Sequence, residues 1–122
     1  MRVAERVMAW ERAPAGSRVE ITLLPAAAMR RANARATGRR GVTDVIAYPL
    51  PQPDGSLVGD VYICPAAAAG AARNGGGLKE ELVRLAVHGT LHVLGYHHPA
   101  GAGRTRSRMW QLQERYVKRI LR

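Results

Sequence analysis

The chain has 122 residues, 47% of them apolar, which is the size of one domain around a single core. No apolar run approaches the roughly 20 residues that span a bilayer, the charged N-terminus lacks the apolar stretch of a secretory signal, and a lone cysteine, Cys64, excludes an internal disulfide framework. A reducing compartment, by default the cytoplasm, is expected.

A first helix is expected over residues 2–12, with Val3, Val7 and Trp10 at helical spacing, ending before "PAGS". "RVEITLL" (18–24) alternates Val19, Ile21 and Leu23 against Arg18, Glu20 and Thr22, the pattern of a half-buried strand. Pro25 suits the first turn of a helix that runs through "AAAMRRANARAT" and stops at Gly38. "VTDVIAYPL" (42–50) and "LVGDVYIC" (57–64) read as strands, and the turn chemistry of "PQPDGS" between them predicts an antiparallel hairpin. Pro65 opens a short alanine-rich helix closed by Gly75, Gly76 and Gly77. "LKEELVRLAVHGTLHVL" (78–94) sets Leu78, Leu82, Leu85, Val87 and Leu91 at core spacing and is ended by Gly95. A last helix, about 106–121, presents Met109, Leu112, Tyr116 and Ile120. Strands and helices mix without strict βαβ alternation, so the expected fold is α+β: one compact domain over residues 1–122, helices packed on a small mixed sheet.

Nineteen basic residues against nine acidic ones give a formal charge of +10, and seventeen of the nineteen are arginine. Such a surplus on a small domain points to a polyanionic partner, most often nucleic acid, for which arginine's planar fork suits phosphate. It is concentrated in Arg30, Arg31, Arg35, Arg39 and Arg40, and in a tail holding Arg104, Arg106, Arg108, Arg115, Lys118, Arg119 and Arg122 against Glu114 alone. The alternative is compositional bias, with arginines that only solvate helix faces.

All four histidines fall in "HGTLHVLGYHH" (88–98). His88 and His92, four apart on one helix, project from the same face and can share one ion. Gly95 can end that helix in a left-handed turn, after which His98 can complete the set. The result is H-x-x-x-H-x-x-G-x-x-H, a ligand skeleton that zinc proteases of the metzincin type also use. Three imidazoles with an open fourth position describe a catalytic zinc site; the alternative is a set of core or capping histidines. Such a protease carries its general base as a glutamate directly after the first histidine. Gly89 stands there, so a protease reading has no base. The glycine costs the helix roughly 1 kcal/mol relative to alanine, and its missing side chain is expected to open space beside the metal for a bulky substrate.

With its histidine motif, the chain resembles the YbeY-type rRNA maturation factors, zinc-dependent single-strand endoribonucleases of bacteria. Their H-G-x-L-H-L-x-G-Y-D-H is matched with two departures, Val93 for leucine and His97 for aspartate. "NARATGRRGVTDVIAYP" is similar to the family's N-x-x-x-R-G-x-x-x-P-T-D/N-V-L-S-F-P segment, "LVGDVYIC" to its L-L-G-D-I-x-I-C strand, and "MWQLQERY" to the helix after the motif; the match covers roughly residues 18–120. The resemblance implies a compact α+β domain with one zinc ion per chain on His88, His92 and His98. It also implies action on ribosomal RNA, in 16S 3′-end maturation and ribosome quality control, and association with the small ribosomal subunit.

By position, Thr43, Asp44, Gly59 and Asp60 match family residues on the hairpin and are expected to face the cleft. Asp44 and Asp60 are candidate catalytic groups, or else strand-end turn and hydrogen-bonding residues. Thr37 stands where the family usually has an arginine implicated in activity; Arg35, Arg39 or Arg40 could reach the same phosphate. His97 is a candidate catalytic residue, facing substrate or supporting a ligand, rather than a ligand itself. The expected function is a zinc-dependent endoribonuclease acting on single-stranded rRNA, in which zinc acidifies water or polarises the phosphate and nearby arginines stabilise the developing charge. The rival is a ribosome-assembly factor that holds RNA through its arginines and keeps zinc for stability.

Overall fold

The computed structural model describes residues 2–72, 76–98, 103 and 107–122. Eight elements succeed one another: α1 (Val3–Trp10), β1 (Arg18–Leu23), α2 (Ala26–Thr37), β2 (Val45–Pro51), β3 (Leu57–Ile63), α3 (Pro65–Ala72), α4 (Gly77–Val93) and α5 (Arg108–Leu121). The strand order is β1-β3-β2. β2 and β3 form the expected antiparallel hairpin, with Ala47 opposite Val61, whereas β1 joins the other side of β3 in parallel, Ile21 beside Val61. A mixed sheet results, as an α+β chain with one crossover requires.

Alternation along β3 decides which residues share a face. Val61 and Ile63 are buried with Leu85, Ala86 and Val93 of α4, and Val19, Ile21, Val45 and Ala47 pack against them. The opposite face carries Tyr48 and Tyr62, which meet Met29 and Ala32 of α2. A third cluster, Val7, Val87, Leu91, Met109, Tyr116 and Val117, joins α1, α4 and α5 on the far side of α4. α4 is thus packed on two sides, which is why its sequence is apolar beyond a single stripe.

Three apolar expectations are corrected. Leu23 does not share the burial of Val19 and Ile21: it is 57% exposed, at the C-terminal end of the edge strand β1. Leu78 is exposed in the first turn of α4, and the buried spacing begins further along. In α5 the buried stripe is Met109, Gln113, Tyr116 and Val117, with Leu112 and Ile120 at its margin. The Ser107 side chain accepts from Trp110 N (3.1 Å) and caps α5, replacing the expected start at 106, which lies outside the described residues. Gly75 is also outside them, while Gly76 and Gly77 begin α4 rather than end α3. No helix among the described residues is long and apolar enough to cross a membrane.

Tyr116 ties the two ends of the chain together. Its hydroxyl donates to Glu11 Oε2, and the Tyr96 hydroxyl donates to Oε1 of the same carboxylate (2.5 Å). Burial, then the hydrogen bond to Glu11, holds the Tyr116 hydroxyl well above its ordinary value of 10.0. A raised pKa means that the folded state keeps this proton more tightly than the unfolded chain. The contribution is therefore complete below about pH 10 and is lost as the pH climbs above it. Melting curves between pH 8 and 11.5 should show Tm falling above pH 10, less steeply in Tyr116→Phe, which starts about 1.5 kcal/mol less stable for want of the hydrogen bond. Parallel profiles for the two proteins would refute this account.

Candidate metal centre

α4 carries His88 and His92 one turn apart, on the side that faces the α2–β2 connection. The helix stops where the sequence predicts: Gly95 sits at φ 102, and Tyr96 N bonds back to Leu91 O at 3.0 Å. That turn returns His98 to the other two rings. Centroids lie 4.6 Å apart for His88 and His92, 5.1 Å for His88 and His98, and 5.0 Å for His92 and His98. One nitrogen from each lies within 4.8 Å of the others, the only such group of three ligand side chains among the described residues. His97 stands aside, exposed, with its ring 6.5 Å from that of His92.

The helical donor pair has the spacing of a tetrahedral metal site. His88 Nε2 and His92 Nε2 are 3.1 Å apart; two nitrogens held at 2.0–2.1 Å in a tetrahedral shell would be about 3.3 Å apart. Burial, then the nearby charges of His88 and His98, pushes the His92 pKa down to about 4, so it presents a neutral imidazole at neutral pH. An all-imidazole set suits zinc and its neighbours rather than magnesium or calcium, which prefer oxygen.

The histidines line one wall of a cleft of about 610 Å³. Its other walls come from Val45, Ala47 and Pro49 of β2 and from the α2–β2 connection with Thr37, Arg39 and Arg40. That connection is braced. Asn33 Nδ2 donates to Gly41 O (3.2 Å), the Thr37 hydroxyl donates to Asn33 O (2.9 Å), and Arg39 N donates to Thr37 Oγ1 (3.1 Å). Thr37, at the position where the resemblance expects arginine, thus anchors the backbone of Arg39.

Of the other predicted residues, Thr43 and His97 line this cleft, whereas Arg35, Asp44 and Asp60 do not. Asp60 and Arg35 lie on the opposite face of the sheet, at a second cavity of about 620 Å³ with Arg31, Tyr48 and Tyr62. Strand alternation puts Asp60 there, because its neighbours Gly59 and Val61 face α4. Asp44 precedes β2 and accepts from Cys64 N through its carbonyl (2.9 Å). No carboxylate lines the histidine cleft among the described residues.

Gly89 is not where the sequence suggested. A Cβ on it would lie 2.5 Å from Val61 Cγ1 and 2.9 Å from Cγ2, so its missing side chain lets α4 lie close against β3 and opens no room beside the three histidines. Gly59 meets the same helix further along, where a Cβ would be 2.6 Å from Val93 Cγ2.

Sequence reasoning missed Gln113. It is 1% exposed, and its Oε1 lies 2.7 Å from His88 Nδ1. Its Nε2 donates to Glu114 Oε2 (3.0 Å), and Arg84 grips the same carboxylate through Nε (2.8 Å) and a second nitrogen (2.9 Å). Burial pushes the Glu114 carboxyl upward, but hydrogen bonds from Arg84 and Gln113 outweigh it and leave the group below its ordinary range. A glutamine inside the apolar stripe of α5 was the available signal.

Comparison with known proteins finds one family along nearly the whole chain. A family profile described as Endoribonuclease YbeY matches residues 1–121. Endoribonuclease YbeY of Mycobacterium ulcerans is 35% identical over 115 residues, covering 84% of this chain and 64% of that protein, so the match spans under two thirds of its length. The protein of the same name from Micrococcus luteus is 34% identical over 130 residues, covering 99% of this chain and 82% of its own. The solution structure of TM1509 from Thermotoga maritima superposes with a TM-score of 0.64 at 25% identity, over 97% of this chain and 73% of that one. With the family profile spanning all but the last residue and the three histidines gathered at one cleft, the chain belongs to the YbeY endoribonuclease family.

Proposed function

We propose that the chain, acting as a single domain over residues 1–122, is a zinc-dependent endoribonuclease that cuts single-stranded RNA in rRNA maturation. Its setting would be the cytoplasm and its partner the small ribosomal subunit. One observation carries the reading: three imidazole donors and two arginines line the same cleft. His88, His92 and His98 would hold one zinc ion. When bound, the ion supplies Lewis acidity toward phosphate and water.

The protein's own residues do the rest. Arg39 and Arg40 grip non-bridging phosphate oxygens, bidentate where the fork allows, and neutralise charge that grows as the phosphodiester is cut. The Thr37–Asn33 brace fixes their backbone before substrate arrives, so little ordering remains for the transition state. Val45, Ala47 and Pro49 form an apolar wall that strengthens those charge contacts. His97 lines the cleft outside the histidine trio, and in this reading it hydrogen-bonds RNA rather than the ion. Arg35, on the opposite face, contributes to long-range attraction only.

The test is cleavage of a single-stranded RNA by pure protein, with and without chelator. Chelation and His92→Ala should abolish cleavage alike, and Arg39→Ala with Arg40→Ala should lower kcat/KM roughly 100-fold, while Arg35→Ala changes it little. The charge of +10 favours one other reading, an RNA-binding assembly factor that does not cut. That reading would show as tight, salt-sensitive binding without chelator-sensitive cleavage. Loss of affinity should follow a log–log salt slope near 0.7 per phosphate neutralised. Arg104 and Arg106 of the basic tail lie outside the described residues.

A further inference from the structure

The geometry points to a relay, Arg84–Glu114–Gln113, that fixes which nitrogen of His88 carries its proton and so aims the other nitrogen's lone pair into the cleft. Gln113 is a positioning residue in this scheme. The inference rests on the metal reading above, but it concerns groups that α4 and α5 bring together without a metal.

Donor and acceptor chemistry sets the direction at each step. A guanidinium can only donate, so Arg84 obliges the Glu114 carboxylate to accept through both oxygens. An ionised carboxylate can only accept, so Gln113 must turn its NH₂ toward Glu114 Oε2. That leaves Oε1, an acceptor, 2.7 Å from His88 Nδ1. His88 must then place its proton on Nδ1, which puts the ring's lone pair on Nε2. This Nε2 is the atom 3.1 Å from His92 Nε2, on the side where the three donors converge. The amide could not make both contacts in the flipped orientation, which would set oxygen against carboxylate.

Burial makes the arrangement decisive. Gln113 is almost wholly enclosed in the α4–α5 contact, so a wrong orientation would leave buried polar atoms without partners. Arg84 and Glu114 sit nearer the surface, with side chains 22% and 28% exposed. Glu81, 3.4 Å from Arg84, steadies the outer end. Nothing in this chain of bonds depends on substrate, so the donor is prepared before either metal or RNA binds.

Ring-nitrogen NMR shifts of metal-free protein, together with cobalt(II) titration followed by absorbance, test the proposal. The parent chain should show the His88 proton on Nδ1. Gln113→Met, similar in volume but without an acceptor, should move it to Nε2 and weaken cobalt binding 10- to 100-fold. Glu114→Gln does not touch His88, yet it frees the Gln113 amide to flip and should give an intermediate change in both readouts. A parent chain with the proton on Nε2 would overturn the proposal, as would either variant with unchanged tautomer and affinity. Should Gln113→Met fail to fold, Glu114→Gln alone decides the matter. If the parent holds the proton on Nδ1 and the variants shift it as expected, but the parent takes up no cobalt, the relay stands and the metal reading of the cleft falls.

Discussion

Replacing His88, His92 or His98 with alanine is expected to strip the chain of its metal and its RNA cleavage together. Each removes one of the three donors that converge among the described residues, so affinity should fall by more than the 10- to 100-fold that loss of a supporting hydrogen bond costs. His97→Ala should keep a full equivalent of metal, because its ring stands outside the group whose donor atoms lie within 4.8 Å of one another. Elemental analysis of the four purified variants checks the assignment directly. Full metal in His98→Ala with loss in His97→Ala would mean that the turn after Gly95 delivers the wrong imidazole.

Gly89→Glu, which would write a protease-like H-E-x-x-H into α4, is expected to yield little folded protein. The side chain would start 2.5 Å from Val61 Cγ1 and would push a carboxylate into the cluster of Val61, Ile63 and Leu85. An unpaired charge buried among aliphatic groups costs several kcal/mol, a large share of a small domain's stability. Gly89→Ala is the milder probe. Overpacking costs about 1–3 kcal/mol, against roughly 1 kcal/mol regained in helix propensity, so a net loss is expected. Adding Val61→Ala should relieve it, giving a double variant more stable than the sum of the two single losses implies. A Gly89→Glu protein that melts with the parent would show that α4 does not press on β3 in solution.

These two cases mark what the sequence makes legible. The histidine cluster could be read because a helix fixes the spacing of His88 and His92, and a glycine at the right remove allows His98 to return. The hairpin was equally legible from "PQPDGS". Local periodicity does not say which way a helix is rotated against a sheet, so Gly89 was assigned to the substrate side when it faces Val61. Asp60 is the strand counterpart: its neighbours in sequence point at α4, and only the register against Tyr48 puts it on the face with Arg35. Choosing among the arginines needed the end of α2, which leaves Arg35 on the helix and carries Arg39 and Arg40 into the connection that lines the cleft. Gln113 is 25 residues from the histidine it touches, a separation that no local pattern spans.

The bonds from Glu11 reach across nearly the whole chain, 85 positions to Tyr96 and 105 to Tyr116. A ribosome delivers the N-terminus first, at roughly 5–20 residues per second. Glu11 therefore emerges long before either partner, and all three histidines emerge before α5. During that interval the donors lack both the α5 contact at His88 and the second tyrosine on Glu11. Assembly of the centre thus waits for α5, and a chain cut short before that helix would carry all three histidines without the frame that holds them.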